Sequence, residues 1–267
     1  MVESLKELNK KCQKPRYKEV GNWFVRNFIR DAALPVTWLL LHTSVTANQV
    51  TLASLFIAFA GIILIALPTA KSFLIGTLLL QFWYYLDHVD GQIARYRGTS
   101  SMSGRFFDFL MHHMVESSVY FSLGFYMYNT TLQISWVILG FIAALSMWVF
   151  RLTNDTKYKT FFEKLLQSKK IEMNAVNAKS SGKEKTKRPS MAKSIFSFIH
   201  KLNEMHVLMN ILTAAAILDL LFDDVPLRPV LFLIYGITAP VLAVTKTTFL
   251  ITHKEIDREF QHLFKVS

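Results

Sequence analysis

Six stretches of about 20 mostly apolar residues divide this chain, and each is long enough to cross the hydrocarbon core of a bilayer as a helix. They run roughly over 48–68, 71–90, 104–128, 132–151, 204–222 and 229–251. The fifth is the least apolar, because Asn210 and Asp219 lie within it. Backbone polar groups find no partner in lipid, so such segments must close their hydrogen bonds internally. The expected fold class is therefore an all-α integral membrane protein with six transmembrane helices. At 52% hydrophobic residues the chain is too apolar for disorder, and its single cysteine, Cys12, excludes a disulfide framework. A formal charge of +11 would suit nucleic acid, but 22 Phe and the long apolar runs put the basic residues at a membrane edge instead. No nucleic-acid partner is expected.

An even number of spans leaves both termini on one side. With these six, 28 of the 30 Lys and Arg fall on that side, against Lys71 and Arg228 on the other. This asymmetry predicts cytoplasmic termini, and the membrane expected is a prokaryotic inner membrane rather than an organelle membrane. The first twenty residues are polar and basic, so no cleavable signal peptide is expected. The chain then divides into a cytoplasmic N-terminus with an interfacial helix (1–47), spans one to four (48–151), a basic cytoplasmic link (152–203), spans five and six (204–252) and a cytoplasmic tail (253–267). Residues 21–41 mix apolar and basic positions at helical spacing and read as the interfacial helix, ended near Pro35. The link opens with a stripe of Phe161, Phe162, Leu165 and Leu166 and closes with a second stripe, SIFSFIHKL. Between them KSSGKEKTKRPSMAK is too polar to bury a core and reads as disordered.

The chemistry concentrates where spans two and three meet the basic side, in DHVDGQIARYRGTSSMSGRFFDFLMH over residues 87–112. Carboxylates near hydrocarbon are costly and usually face a bundle interior or cavity. At about 100° per residue, Asp87, Asp90, Gly91 and Ala94 share one helix face about 100° wide, bordered by Arg95. Gly104, Asp108 and His112 step by four along the next helix, with Glu116 one turn deeper. Asp87, Asp90 and Asp108 brought to one space would repel each other unless a cation sits between them. Hard divalent ions prefer oxygen ligands and often keep a substrate phosphate in their shell. The small side chains leave room for a ligand against the backbone. The plainer reading is a salt-bridged helix interface using Arg95, Arg97 and Arg105, which leaves the glycines and the alanine unexplained.

The spacing D-x2-D-G-x2-A-R-x8-G-x3-D resembles the signature of the CDP-alcohol phosphotransferases, on Asp87, Asp90, Gly91, Ala94, Arg95, Gly104 and Asp108. The six spans, the preceding interfacial helix and Thr46-Ala-Asn-Gln-Val-Thr51 at the entry to span one are also similar to that family. The resemblance implies a transferase that moves a substituted phosphoryl group from a CDP-linked donor, such as CDP-diacylglycerol, to a small alcohol with release of CMP. It implies Mg²⁺ or Mn²⁺, two ions, held by Asp87, Asp90, Asp108 and the residue four further on. Gly91, Ala94, Arg95 and Gly104 would contact the donor. It also implies a homodimer within membrane lipid.

One position departs from the pattern. The family's last motif residue is an aspartate, and here it is His112. Three readings stay open: His112 is the base that deprotonates the alcohol, Glu116 reaches back to replace the aspartate, or the chemistry is altered or lost. His113 points elsewhere and reads as structural. Arg151, Asn154, Lys157 and Lys246 are candidates for a pocket holding a phosphorylated or anionic acceptor, against ordinary snorkelling to headgroups. Two further functions compete: a non-catalytic nucleotide- or lipid-binding membrane protein, and a cation transporter. Transport has little support, since there is no internal repeat and the third span reads SSVYFSLGFYMY beyond Glu116.

Overall fold

The computed structural model describes residues 3–14, 18–19, 23, 25–167, 171–173, 191–222 and 227–266. Ten α-helices carry nearly all of the described chain: α1 (Leu5–Cys12), α2 (Arg30–Leu41), α3 (Ala47–Ala66), α4 (Ala70–Tyr96), α5 (Met102–Thr131), α6 (Ser135–Gln167), α7 (Met191–Leu202), α8 (Met205–Leu221), α9 (Leu227–Thr252) and α10 (Glu255–Leu263). A π-helical turn, Val25–Ile29, leads into α2. Two short strands, β1 (Ile171–Met173) and β2 (Phe264–Val266), pair antiparallel with Ile171 opposite Val266.

Helix α3 packs along α4, α5 along α6, α6 against α9 and α4 against α8. Their shared core includes Phe73, Leu80, Trp83, Val115, Tyr120, Met147 and Tyr235. A second cluster, with Leu8, Cys12, Ala33, Leu34, Val89 and Ile93, docks α1 and α2 onto the last turns of α4. The outer surface is apolar: Phe56 and Ile63 on α3, Phe141 and Trp148 on α6, and Ile237 and Val244 on α9 are exposed. A continuous apolar exterior of this kind faces lipid, not water. By length and composition α3, α6 and α9 can each cross a membrane, and α7 with α8, bent by 66°, make a fourth if taken as one broken span. Helices α4 and α5 have 27 and 30 residues, about 40 and 45 Å, and carry the charge cluster on the turns where they meet.

Two close crossings fix the bundle. A Cβ on Gly76 would lie 2.6 Å from the Gly61 carbonyl oxygen and 2.8 Å from the Ile65 nitrogen, and one on Gly124 would lie 2.7 Å from the Trp136 carbonyl oxygen. These neighbours are backbone atoms that cannot rotate away, so only glycine permits α3 to cross α4, and α5 to cross α6, so closely. Gly76→Val is expected to lower stability in detergent by about 1–3 kcal/mol or more, seen as a fall in Tm with little change in the exposed control Ile75→Val.

Several boundaries differ from the sequence expectation. Helix α2 does not end near Pro35 but runs through it to Leu41. Burial of Ala33, Leu34, Thr37 and Leu41 offsets the hydrogen bond that proline removes. The helix that carries span four continues without a break past Arg151 to Gln167, into the stretch expected to open the cytoplasmic link. The stripe at its end is only half used: Phe161 is buried against Phe260, while Phe162 and Leu166 stay exposed. The segment expected to be disordered lies mostly outside the described residues, and SIFSFIHKL belongs to α7. The polar residues of the weakest span do find partners. Gln81 Nε2 donates to Asn210 Oδ1 at 2.9 Å, and Arg228 Nε donates to Asp219.

Candidate active site

The turn that separates α4 from α5 sets the site. Gly98 adopts φ +65°, a left-handed conformation that ends α4 without steric cost. Ser101 then caps α5, its Oγ accepting the Gly104 N–H at 3.0 Å. The entry to α3 is fixed by a capping box in which Thr46 Oγ1 accepts from the Gln49 N–H at 3.3 Å and Gln49 Oε1 accepts from the Thr46 N–H at 2.8 Å. Arg97 joins the two ends, with Nη1 donating to the Val45 carbonyl at 2.5 Å and Nη2 to the Thr43 carbonyl at 2.7 Å.

These ends enclose a cavity of about 490 Å³. All eight residues singled out from the sequence line it: Asp87, Asp90, Gly91, Ala94, Arg95, Gly104, Asp108 and His112. The sequence reading missed Gln13 and Lys14 after α1 and Arg30 on α2, which line the same cavity, and they are joined by Thr46, the cap of α3, and by Asn48 and Thr51 on α3, from the stretch noted as similar to the family. Arg97 and Arg105 complete it, so five cationic side chains and three carboxylates face one space. Such a balance suits a diphosphate held together with metal ions.

At its centre His112 Nε2 lies 3.0 Å from Asp87 Oδ1 and 3.4 Å from Asp108 Oδ1. Ligand atoms of these three residues lie within 4.8 Å of one another. The Trp83 ring stands 5.1 Å from the imidazole, centroid to centroid, and holds one side of it. His88 also approaches Asp87, at 3.7 Å, with Nδ1 turned to its own-helix Tyr84 carbonyl at 2.9 Å. Among the described residues no arginine pairs with these carboxylates, so the salt-bridged interface expected as the plainer reading is not what forms. The donor set of two carboxylates and an imidazole fits a divalent cation.

Asp90 stands outside that trio. It is buried, and its Oδ2 accepts the Thr51 hydroxyl at 2.5 Å. Arg95 also departs from the simple picture: its Nε donates to the Cys12 carbonyl, and a Cβ on Gly91 would meet its Nη1 at 2.9 Å. Gly91 thus makes room for a guanidinium lying back over the helix. That contact anchors α1, where burial pushes the Cys12 thiol up to about 11 while Arg95 pulls it the other way. Glu116 does not reach back to Asp108; its Oε2 pairs with Arg151 Nη2 at 2.6 Å. His113 faces away, 3.0 Å from Asp155, as its structural reading requires.

A family model described as CDP-alcohol phosphatidyltransferase matches residues 44–218. No curated protein sequence matches the chain. Two solved structures of Mycobacterium tuberculosis phosphatidylinositol phosphate synthase share the fold, each at a TM-score of 0.54. The one with CDP-DAG bound is 17% identical and the match covers 81% of this chain and 92% of that one. The apo form is 19% identical, with 82% and 95% covered.

Proposed function

The chain belongs to the CDP-alcohol phosphatidyltransferase family, and from that premise we propose that it moves a phosphatidyl group from CDP-diacylglycerol to a small alcohol, releasing CMP at the cytoplasmic face. It is a membrane transferase of phospholipid synthesis. The observation that carries the finer reading is the Asp87–Asp108–His112 trio at the centre of a cavity walled by cations. Asp87, Asp108 and His112 would hold a divalent ion, Mg²⁺ or Mn²⁺, and Asp90 would add its charge for a second. A bound divalent ion neutralises the diphosphate and stabilises departing CMP.

This chain's own groups do the rest. Lys14, Arg95 and Arg105 attract the diphosphate, and Thr51 fixes the carboxylate of Asp90. Gly104, where a Cβ would meet only Ser101 Oγ at 3.2 Å and Asn48 Oδ1 at 3.6 Å, keeps the floor low for the donor. In this reading His112 serves as a ligand rather than as the base, because its Nε2 lies 3.0 Å from Asp87 Oδ1 and 3.4 Å from Asp108 Oδ1, close enough for the three to share one ion. The same reading has α3, α4, α5, α6, α8 and α9 crossing the membrane with both termini cytoplasmic, supported by the 28-to-2 split of basic residues. Pairing as a homodimer belongs to it too, on the family resemblance.

The test is direct. Purified protein in lipid nanodiscs receives CDP-diacylglycerol, Mg²⁺ or Mn²⁺, and a panel of alcohols. CMP and one new phosphodiester-linked lipid are expected in the mass spectrum. Absence of CMP with every alcohol would leave a nucleotide- or lipid-binding protein without turnover.

A further inference from the structure

Helix α7 plays no part in the transfer chemistry, yet its sequence, MAKSIFSFIHKL, is sharply divided. At about 100° per residue, Phe196, Ile199 and His200 fall on one side. Phe196 and Ile199 pack on the bundle core, and the His200 ring stands 5.6 Å from that of Phe150. One flank carries Met191, Ile195 and Phe198, all exposed. The other carries Ser194, Ser197 and Lys201, exposed as well. The helix thus lies against the bundle with one apolar flank and one polar flank, both open. The bend that follows holds this orientation. Tyr120 Oη donates to Asn203 Oδ1 at 3.0 Å, while Asn203 Nδ2 donates to the Ile199 carbonyl at 2.9 Å and to Thr238 Oγ1 at 3.2 Å. There α7 turns by 66° from α8. With α8 crossing the bilayer, such a bend lays α7 closer to the membrane plane than to its normal. A helix of this pattern, with Phe and Ile on one flank and Lys on the other, suits the membrane–water interface.

Charge selects the lipid. Helix α7 carries Lys193, His200 and Lys201 and no carboxylate. Lys246 and Arg151 lie close enough to His200 to add their positive charge. The carboxylate at the bend, Glu204, stands between His200 at 3.7 Å and His206 at 3.4 Å. In sequence, residues 179–193 hold six Lys or Arg against one Glu. Basic clusters on an amphipathic helix attract anionic headgroups. We infer that α7 is a seat for anionic lipid: Met191, Ile195 and Phe198 enter the leaflet, and the basic residues gather anionic phospholipid headgroups around them. The inference rests on the topology proposed above, in which α8 crosses the bilayer, and does not depend on turnover.

Fluorescence quenching in the intact protein tests this. Phe198→Cys carries a bimane fluorophore, Cys12 being buried. Nanodiscs contain phosphatidylcholine and phosphatidylglycerol, one or the other brominated in its acyl chains. Brominated phosphatidylglycerol is expected to quench about fivefold more strongly than brominated phosphatidylcholine at equal mole fraction, the effect of one basic residue near an anionic surface. The preference should weaken in Lys193→Gln with Lys201→Gln, and in about 1 M salt. Little quenching by either lipid is expected for the same label on Ser197→Cys. Should Phe198→Cys fail to fold, Ile195→Cys on the same flank carries the label. Equal quenching by the two lipids overturns the inference, and so does a preference that neither the lysine substitutions nor salt diminish. Absent quenching, because water or a second copy of the chain covers the flank, overturns it too. Ile217→Cys, exposed on α8, separates the two readings. Quenching there by both lipids alike is expected; its absence overturns the crossing of α8 and the seat with it. A protein that releases CMP but shows no lipid preference at residue 198 keeps the transferase reading and loses the inference.

Discussion

Replacing Asp108 by Asn is expected to lower CMP release by at least about 10²–10³-fold, the scale set by loss of a group that stabilises charge in the transition state. The substitution keeps the shape of the side chain and removes only its charge. Asp108 is partly exposed on the cavity wall, and the contact recorded for it is with His112 at 3.4 Å. Nothing in the core depends on it, so the Tm and far-UV circular dichroism should stay those of the parent. Two consequences follow from the lost carboxylate: the divalent ion is held by one anion and an imidazole, and the diphosphate meets less neutralising charge. Full activity in a folded Asp108→Asn protein would remove the trio from the mechanism.

The second large effect is at His112. If its Nε2 is a ligand, His112→Ala lowers Mn²⁺ affinity by about 10–100-fold or more and lowers CMP release with it. His112→Asp restores an oxygen donor at the same helical position, so Mn²⁺ binding and turnover should both recover relative to the alanine variant. The two roles separate cleanly in calorimetry. A base that does not touch the metal would leave Mn²⁺ affinity unchanged in His112→Ala while turnover collapses. An alanine variant with parental affinity and parental turnover would mean that His112 does neither.

Much of the site was legible because its information is local. Asp87, Asp90, Gly91 and Ala94 fall on one helix face by periodicity alone, and so do Gly104, Asp108 and His112. All of them line one cavity in the folded chain. What was not legible depends on partners far apart in sequence. Thr51 binds Asp90 across 39 residues, and the Arg95 guanidinium reaches back 83 residues to the Cys12 carbonyl. The Glu116–Arg151 pair needs the close glycine crossing of α5 on α6, which no periodicity specifies. Arg151, Asn154, Lys157 and Lys246, offered as one candidate pocket, do come close together, and the carboxylates among them come from elements far off in sequence: Glu116 on α5 and Glu259 on α10. Helix ends were the other weak point. Pro35 looks like a terminator, and packing on either side carries α2 past it.

The most direct measurement is electron spin-echo spectroscopy of Mn²⁺ bound to the intact protein in nanodiscs. Nitrogen coupling from one imidazole to bound Mn²⁺ is expected, lost in His112→Ala and retained in His113→Ala. Bound Mn²⁺ without nitrogen coupling, or no saturable Mn²⁺ binding at all, would contradict a metal centre built from Asp87, Asp108 and His112.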